Sequence, residues 1–388
     1  MTKKRFERNK IKNKNKNNYN INTIKFENNN LNNQQIIKFE TFNTKQEPLS
    51  ENNNDNDSYF KNTNSEDLQS ITKPIENLED LIELGKSYKE DDTIKYVINL
   101  KMLNKCIEPL EQLNSMIGLE NIKTSILNFV FYYLQNFDNE DNKNAMKHTI
   151  LEGHPGTGKT QVASILAKLY YGLGLTKNDK YFQYSRSDLI GKYLGHTSAK
   201  TQECFDKACG GVIFIDEAYS LGNPEGRDSF SKECIDTINQ NLTEMKDNII
   251  LIIAGYKEQL ESSFFSYNPG LYRRFPFRFN TGIPTHNDLR LIFEKKISLN
   301  NWILEETIEE SFFEKNRDYF KYNGGDMETL FYLTKIAHSK NVFGKSVLLR
   351  KKLTNKDVLD GFELFLNNDE VKSRNNDIKK YIYNTMFV

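Results

Sequence analysis

The sequence predicts an α/β fold in which a parallel β-sheet carries helices on both faces and a small all-α region follows. Short apolar runs alternate with helical segments between residues 96 and 284, an alternation that is typical of a parallel sheet. After Pro284 only helical periodicity remains. The chain is accordingly divided into an extension at 1–95, an α/β domain at 96–284, a helical lid at 285–370 and a C-terminal tail at 371–388.

The N-terminal extension is dominated by Asn, Lys, Asp, Glu and Ser, with asparagine runs at 28–30 and 52–54. Such a composition buries too little apolar surface to offset the entropy of ordering the chain. The extension is therefore predicted to be mostly disordered, with one helix near 78–88. Basic residues cluster at 3–16, which fits either a solvated tail or a patch for nuclear import or nucleic acid.

Overall charge and cysteine usage point to an intracellular, cytoplasmic protein. The formal net charge is zero, with 53 basic and 53 acidic residues, so no global field attracts nucleic acid or a membrane. The four cysteines form no CxxC pair and stand near no histidine at metal-binding spacing, so they are interpreted as reduced thiols. The sequence has no apolar run of about eighteen residues and no signal-peptide core, so neither membrane spanning nor secretion is expected.

The elements of the fold are predicted from apolar periodicity. The segment at 110–135 places its apolar residues on one helical face. The runs at 212–215 and 249–253 are continuously apolar, as in strands buried on both faces. Further strands are predicted at 149–151, 181–184 and 277–279, and helices at 161–171 and 198–208. In the lid, helices are predicted at 286–299, 304–313, 326–340 and 355–365.

A glycine-rich loop separates the first of these strands from the next helix. It matches the phosphate-binding pattern GxxxxGK[ST] as Gly153-His154-Pro155-Gly156-Thr157-Gly158-Lys159-Thr160. Glycines let backbone N–H groups face the phosphates, and the helix N-terminus adds partial positive charge. Lys159 is expected to reach the β- and γ-phosphates of ATP, and Thr160 to bind Mg²⁺.

Two adjacent carboxylates follow the apolar run at 212–215. Ligands of open α/β sheets bind at the carboxyl ends of the strands, which is where Asp216 and Glu217 stand. Asp216 is expected to hold Mg²⁺, directly or through water, and Glu217 to polarise the attacking water as general base. The alternative is a strand that ends in a solvated acidic turn. The phosphate-binding loop upstream favours the catalytic interpretation.

Two further segments carry candidate residues. Arg273 and Arg274 precede the last predicted strand. They are interpreted either as an arginine finger acting on a neighbouring subunit's site or as surface arginines paired with acids. Tyr193 stands in a loop flanked by Gly191 and Gly195, either as an aromatic that grips a substrate or as a packed tyrosine.

Together these residues resemble the AAA+ superfamily and, more narrowly, the CbbX/CfxQ family, which is similar to the stage V sporulation protein K group. The resemblance runs from about residue 113 to 296. Besides the phosphate-binding loop, it rests on SDLIGKYLGHT at 187–197, GGVIFIDEAYSL at 210–221, AGY at 254–256, and NPGL with RFP at 268–276. It implies a P-loop NTPase domain with a five-stranded sheet, a helical lid, ATP bound at the subunit interface and assembly into a hexamer.

The resemblance also assigns roles. It implies Tyr193 as the pore-loop aromatic, Arg273 or Arg274 as the finger, and Ile117 with Gly118 as the turn that lies against adenine. Two departures stand beside it. Where many AAA+ proteins carry a polar residue that orients the water, this chain has Gly255-Tyr256. Where the lid usually offers an arginine to the γ-phosphate, it has Glu328, which predicts an altered nucleotide response.

The sequence thus predicts an ATP-hydrolysing ring motor whose Tyr193 loops pull on an unidentified protein substrate. Rubisco activation, attached to the CbbX name, is not carried over, because the motifs report the motor and not its target. One alternative is a nucleic-acid-associated AAA+ factor, favoured by the basic cluster but without a recognisable DNA-binding module after the lid. The other is an ATP-binding switch with little hydrolysis, for which Glu328 is the support.

Overall fold

The computed structural model describes residues 59, 68–89, 95–138, 146–193, 195–223 and 228–374. Most of the extension predicted to be disordered, with its basic cluster, lies outside the described residues, as does most of the predicted C-terminal tail. The helix predicted near 78–88 is confirmed as α1 (Leu78–Lys86). Across the described part of the chain, no helix combines the length and the apolarity that crossing a membrane requires.

The centre of the fold is a sheet of five parallel strands. They are β1 (Thr149–Glu152), β2 (Tyr181–Tyr184), β3 (Val212–Ile215), β4 (Ile250–Gly255) and β5 (Phe277–Asn280), and they lie in the order β2–β3–β4–β1–β5. Every residue of β3 and β4 is buried, because helices cover both faces of the sheet. The predicted five-stranded α/β architecture is confirmed, and each predicted strand is present.

Helices surround this sheet and build the lid. After α1 they are α2 (Leu100–Lys105), α3 (Ile107–Asn114), α4 (Glu120–Leu134), α5 (Lys159–Gly172), α6 (Arg186–Leu189), α7 (Thr197–Lys207), α8 (Ser229–Glu244), α9 (Lys257–Gln259), α10 (His286–Leu299), α11 (Glu310–Lys315), α12 (Gly324–Val342) and α13 (Asn355–Leu366). Alternate strand residues face opposite cores. Val212 and Phe214 pack with α1 to α5, whereas Ile213 and Ile215 pack with α7 and α8.

The apolar helical face predicted in the segment at 110–135 is confirmed, since Ile122, Ile126, Phe129 and Tyr133 are buried, but the segment is not one continuous helix. The structure divides it into α3 and α4, because the chain turns at Gly118 and Leu119, whose φ angles are 66° and 64°. Residues in that left-handed region cannot continue a right-handed helix. The turn brings Ile117 and Gly118 to the edge of the sheet, where the candidate site lies.

The lid has its own core, built from α10 to α13 and rich in buried phenylalanines. Capping boxes begin α10 at Thr285 and α13 at Thr354. The expectation of helices alone after Pro284 is wrong at one point. Ile303–Leu304 pairs in parallel with Lys352–Leu353, so the helix predicted at 304–313 begins only at Glu310.

One buried histidine makes the fold sensitive to acid. His148 precedes β1 and is fully buried. The N–H of Leu251 donates to its Nδ1 at 3.1 Å, which leaves Nε2 to donate to the Leu242 carbonyl at 3.4 Å. Burial lowers the pKa of His148 to about 4, and the bond to Leu242 only partly opposes this. The folded protein therefore holds a neutral imidazole that the unfolded chain protonates below about pH 6.5.

The free energy of unfolding is expected to fall on acidification, by about 2 kcal/mol between pH 7 and pH 5 from His148 alone. The sign follows because a pKa lowered by folding makes the unfolded state bind more protons in that range. His148→Asn should be less stable at pH 7 and should lose this part of the pH dependence, as measured by urea unfolding followed by circular dichroism. The exposed His196→Asn variant is the matched control. A His148→Asn protein with the wild-type decline would contradict the assignment.

Candidate nucleotide-binding site

A cavity of about 840 Å³ opens at the carboxyl ends of the central strands. Its volume lies in the range of small-molecule sites, roughly 300–1,000 Å³. It is lined by the end of α3 and the turn before α4, the loop between β1 and α5, the ends of β3 and β4, the segment that follows β5, and the lid helices α10 and α12. Most of the residues that the sequence assigned to nucleotide binding therefore meet in one place, whereas Gly153 and His154 at the start of the loop are not part of the cavity lining.

The phosphate-binding loop connects β1 directly to α5, as the sequence predicts. Its backbone needs glycine at Gly156, where φ is 67° and an added Cβ would lie 2.0 Å from the carbonyl oxygen of Tyr322. Thr157 fixes the loop from within, since its hydroxyl donates to the His154 carbonyl at 2.8 Å and bonds to the Thr281 hydroxyl at 2.7 Å. The loop is therefore held in shape by contacts on both sides.

Lys159 is half-buried at the first turn of α5, inside the cavity. Its Nζ donates to the carbonyl oxygens of Gly153 at 3.0 Å and His154 at 2.8 Å. Burial lowers the pKa of Lys159 below its usual value, while the charges of Asp216 and Glu217 oppose the shift. The ammonium group thus rests against the carbonyls of the loop, within the electrostatic influence of the two carboxylates.

Thr160 and Asp216 form an oxygen-rich pair. The Thr160 hydroxyl donates to Asp216 Oδ2 at 2.7 Å, and Asp216 Oδ1 accepts the backbone N–H of Glu217 at 3.0 Å. Among the described residues there is no group of three or more His, Cys, Asp or Glu side chains that could hold a metal. A hydroxyl and one carboxylate suit Mg²⁺, which retains most of its waters and takes few protein ligands.

Glu217 stands where β3 ends, with its side chain exposed to the cavity. Its backbone is left-handed, with φ of 50°, a conformation that costs a non-glycine residue about 1–3 kcal/mol and is concentrated at functional sites. The 3₁₀ turn Ala218–Leu221 follows at once. That turn carries Tyr219, whose ring stacks on Tyr256 with centroids 5.6 Å apart.

The turn assigned to adenine also lines the cavity. Ile117 and Gly118 lie opposite the start of α10, where a Cβ on Gly118 would come within 3.1 Å of the Asp288 carboxylate. Asp288 belongs to the capping box of α10. The lid therefore packs closely against this turn.

The lid also touches the phosphate-binding loop, a contact that sequence reasoning missed. The Asn323 amide donates to the Pro155 carbonyl at 3.0 Å, and the backbone N–H of Gly324 donates to the Gly156 carbonyl at 3.0 Å. Glu328, one helical turn further along α12, lines the cavity and pairs with Lys296 at 3.0 Å. The acid found at the expected arginine position is thus accompanied by a lysine from α10.

Arg273 and Arg274 do not line the cavity of their own chain. Arg274 is held in place, because its Nη2 donates to the Thr243 hydroxyl at 2.7 Å and its Nη1 to the Gly270 carbonyl at 3.4 Å. Arg273 is exposed, and within the described part of the chain it has no hydrogen bond or ion pair. Arg274 is therefore engaged within its own chain, whereas the guanidinium of Arg273 is available to another molecule.

Tyr193 is 69% exposed; its ring makes an edge contact with the ring of His196, and its carbonyl accepts the backbone N–H of His196 at 3.2 Å. The adjoining residue 194 lies outside the described residues. The base of the loop is anchored to α7, since the Lys200 ammonium donates to the Ile190 carbonyl at 3.0 Å and the Thr201 hydroxyl to the Leu189 carbonyl at 3.0 Å. Tyr193 is thus presented to the surroundings rather than packed into the core.

Comparisons with known proteins agree with this geometry. The family model for AAA, the ATPase family associated with various cellular activities, matches residues 149–282. A cfxQ-like protein of Acanthamoeba polyphaga mimivirus is 42% identical over 308 residues, which cover 78% of this chain and 75% of that protein. Stage V sporulation protein K of Bacillus subtilis is 36% identical over 171 residues, 43% of this chain and 52% of that protein. Protein CfxQ of Xanthobacter flavus is 31% identical over 227 residues, 58% of this chain and 67% of that protein.

The match to the cfxQ-like protein extends well beyond the nucleotide-binding motifs, and the AAA model spans β1 to β5 with the cavity at their ends. Both findings agree with the resemblance that the motifs carry. The chain belongs to the CbbX/CfxQ family of AAA+ proteins, and it is an ATP-binding ATPase.

Proposed function

We propose that this chain is the subunit of a ring motor that uses ATP hydrolysis to remodel a protein substrate. The observation that carries the proposal is that the predicted catalytic residues do not all lie in one cavity. Lys159, Thr160, Asp216 and Glu217 converge in one cavity, whereas the exposed Arg273 lies outside it. A site of this kind is completed by a cation from another subunit.

Within the cavity each residue has a role that fits its contacts. Lys159 neutralises the β- and γ-phosphates after exchanging its loop carbonyls for phosphate oxygens. Thr160 and Asp216 hold Mg²⁺, which supplies charge neutralisation on the phosphates when it is bound. Glu217 orients and polarises the attacking water. Ile117 and Gly118 contact adenine.

Arg273 serves as the finger for the site of the neighbouring subunit. Its guanidinium is exposed and makes no described intramolecular bond, so it is available to a neighbour. Arg274 positions the segment by its bonds to Thr243 and Gly270. This assignment requires a head-to-tail arrangement of subunits, which closes into a ring when the rotation between neighbours permits.

Tyr193 is the residue that grips the substrate, and a short path connects its loop to the hydrolysis site. Arg186 begins the segment that leads to this loop. Its Nη1 donates to the Ser220 carbonyl at 2.6 Å and to the Leu221 carbonyl at 3.1 Å. These carbonyls belong to the turn directly after Glu217. A displacement of the loop is therefore transmitted to the turn that carries the catalytic carboxylate.

A ring motor places the Tyr193 loops of neighbouring subunits around one axis. The Tyr193→Cys variant, made in a Cys209→Ser background because Cys209 is the exposed native thiol, is expected to form covalent dimers with a short bis-maleimide in the presence of ATP, since each subunit then offers one reactive thiol. Denaturing electrophoresis measures the fraction of the protein in the dimer band. The reason is that the thiols converge at the axis of an assembled ring.

Tyr171→Cys in the same background is the matched control, because Tyr171 is also exposed, at 47%, but lies at the end of α5. The control should remain monomeric on the gel. If light scattering shows assembled protein while Tyr193→Cys gives no more crosslinking than Tyr171→Cys, the central position of this loop is rejected.

A further inference from the structure

A tyrosine to which the motifs assign no role lies beside Glu217 in the cavity lining. Tyr219 lies two positions after Glu217, on the short turn Ala218–Leu221, and both side chains line the cavity. Its ring is half-buried and stacked on Tyr256 at an interplanar angle of 29°. Stacking fixes the ring plane and hence the position of the hydroxyl.

The end of β4 is shaped to receive this ring. A Cβ added to Gly255 would lie 2.9 Å from Tyr219 Cδ1 and 3.1 Å from Leu260 Cδ2, so only glycine leaves the space that the tyrosine occupies. Gly255 has no side chain that could itself hold Glu217 or a water. The ring of Tyr219 therefore occupies the space that a side chain at position 255 would need.

The turn itself is held from both ends. The N–H of Ser220 donates to the Glu217 carbonyl at 2.7 Å, and the N–H of Gly222 donates to the Tyr219 carbonyl at 3.1 Å. Arg186 holds the carbonyls of Ser220 and Leu221 from the other side. The backbone of the turn and the ring of Tyr219 are therefore both fixed, which limits where the hydroxyl of Tyr219 can lie.

The electrostatics agree with a hydroxyl that faces a carboxylate. Burial, followed by the charge of Glu217, raises the pKa of Tyr219 to about 12. The phenol accordingly stays protonated at neutral pH and can act only as a donor toward Glu217. A carboxylate has two oxygens, so one can accept from the phenol while the other accepts from a water.

We propose that Tyr219 is a positioning residue for the general base. Its hydroxyl donates to one oxygen of Glu217 and thereby aims the other at the attacking water. The proposal rests on the assignment of Glu217 as base given above. Removing the hydroxyl alone is expected to leave ATP binding intact and to misplace the carboxylate.

The Tyr219→Phe variant tests this, because phenylalanine retains the ring that packs on Tyr256 and Gly255. Its kcat for ATP hydrolysis is expected to fall about 10-fold or more, with KM and the dissociation constant for a fluorescent ATP analogue unchanged. Tyr332→Phe, a change on an exposed lid tyrosine, is the matched control and should have wild-type kinetics. A Tyr219→Phe kcat equal to that of the wild type, or above it, would overturn the proposal.

A double variant separates positioning from a general structural effect. If Tyr219 acts through Glu217, Tyr219→Phe should cause no further loss in the Glu217→Gln background in single-turnover measurements. The same fractional loss in both backgrounds would show that Tyr219 acts elsewhere, and would reject the proposal. Full turnover by Glu217→Gln alone would instead reject the assigned base, which is a failure of the proposed function.

Discussion

Replacing Glu217 by glutamine is expected to lower ATP turnover at least about 100-fold while leaving ATP bound, because general-base catalysis contributes about 10²–10⁴-fold. The change should be local. The backbone N–H of residue 217 donates to Asp216 irrespective of the side chain, so the left-handed turn is preserved. Glutamine has nearly the same shape as glutamate but cannot accept the proton of the attacking water. Phosphate release measures turnover, and titration with a fluorescent ATP analogue measures binding.

Glu314→Gln is the matched control for this substitution, since Glu314 is exposed on α11 and does not line the cavity. It should hydrolyse ATP at the wild-type rate. Turnover by Glu217→Gln equal to that of the control would mean that another group activates the water. If the wild-type protein binds ATP but does not hydrolyse it, the ATP-binding switch becomes the favoured interpretation. Glu328 and its partner Lys296 would then be the first residues to substitute.

The second large effect is expected at the arginine pair, where neighbouring residues should behave differently. Arg273→Ala should reduce turnover of the assembled protein roughly 10³-fold, the lower end of the range for an arginine finger, with little change in stability. Arg274→Ala should mainly lower the thermal unfolding temperature, because it removes the bonds to Thr243 and Gly270. Phosphate release and thermal denaturation of the two variants, measured side by side, separate these roles.

The reverse result for the two arginine variants would reassign the finger. Arg273→Ala with wild-type turnover, alongside Arg274→Ala that is folded yet inactive, would transfer the finger to Arg274 and require its bonds to Thr243 to open during assembly. Loss of turnover in both variants together with loss of assembly would instead assign the pair to the subunit contact itself.

Much of the fold was predictable because its signals are local. The strands β1 to β5 appear as apolar runs bounded by loops, and buried strands of a parallel sheet carry that pattern strongly. Helix α8 was not predicted, because asparagine, glutamine, serine and threonine dilute its apolar residues, although Cys234, Ile235, Ile238 and Leu242 form the buried stripe. The pairing of Ile303–Leu304 with Lys352–Leu353 was missed for a different reason. Two-residue strands far apart in sequence leave no periodicity to detect.

The candidate site divides in the same way. The phosphate-binding loop and the pair Asp216 and Glu217 are contiguous in sequence, so pattern and chemistry identify them together. Asn323 contacts Pro155 across 168 positions, and no local pattern reports such a contact. The preference for Arg273 over Arg274 likewise depends on Thr243, which only the folded chain brings close. Tyr219 follows Asp216 and Glu217 closely in sequence, so it could have been noticed. Its contact with Gly255, which leaves no room for a side chain there, is visible only in the folded structure.

The shared active site is tested most directly by the ATPase rate of mixed subunits. Lys159→Ala cannot neutralise phosphates in its own cavity, and Arg273→Ala cannot complete its neighbour's. Each variant alone should be inactive, whereas an equal mixture should recover about a quarter of the wild-type rate, since one junction in four pairs an intact cavity with an intact finger. Lys159→Ala mixed with Glu217→Gln, whose defects fall in the same cavity, should recover nothing. An Arg273→Ala mixture that assembles yet stays as inactive as this control would contradict a site built between subunits.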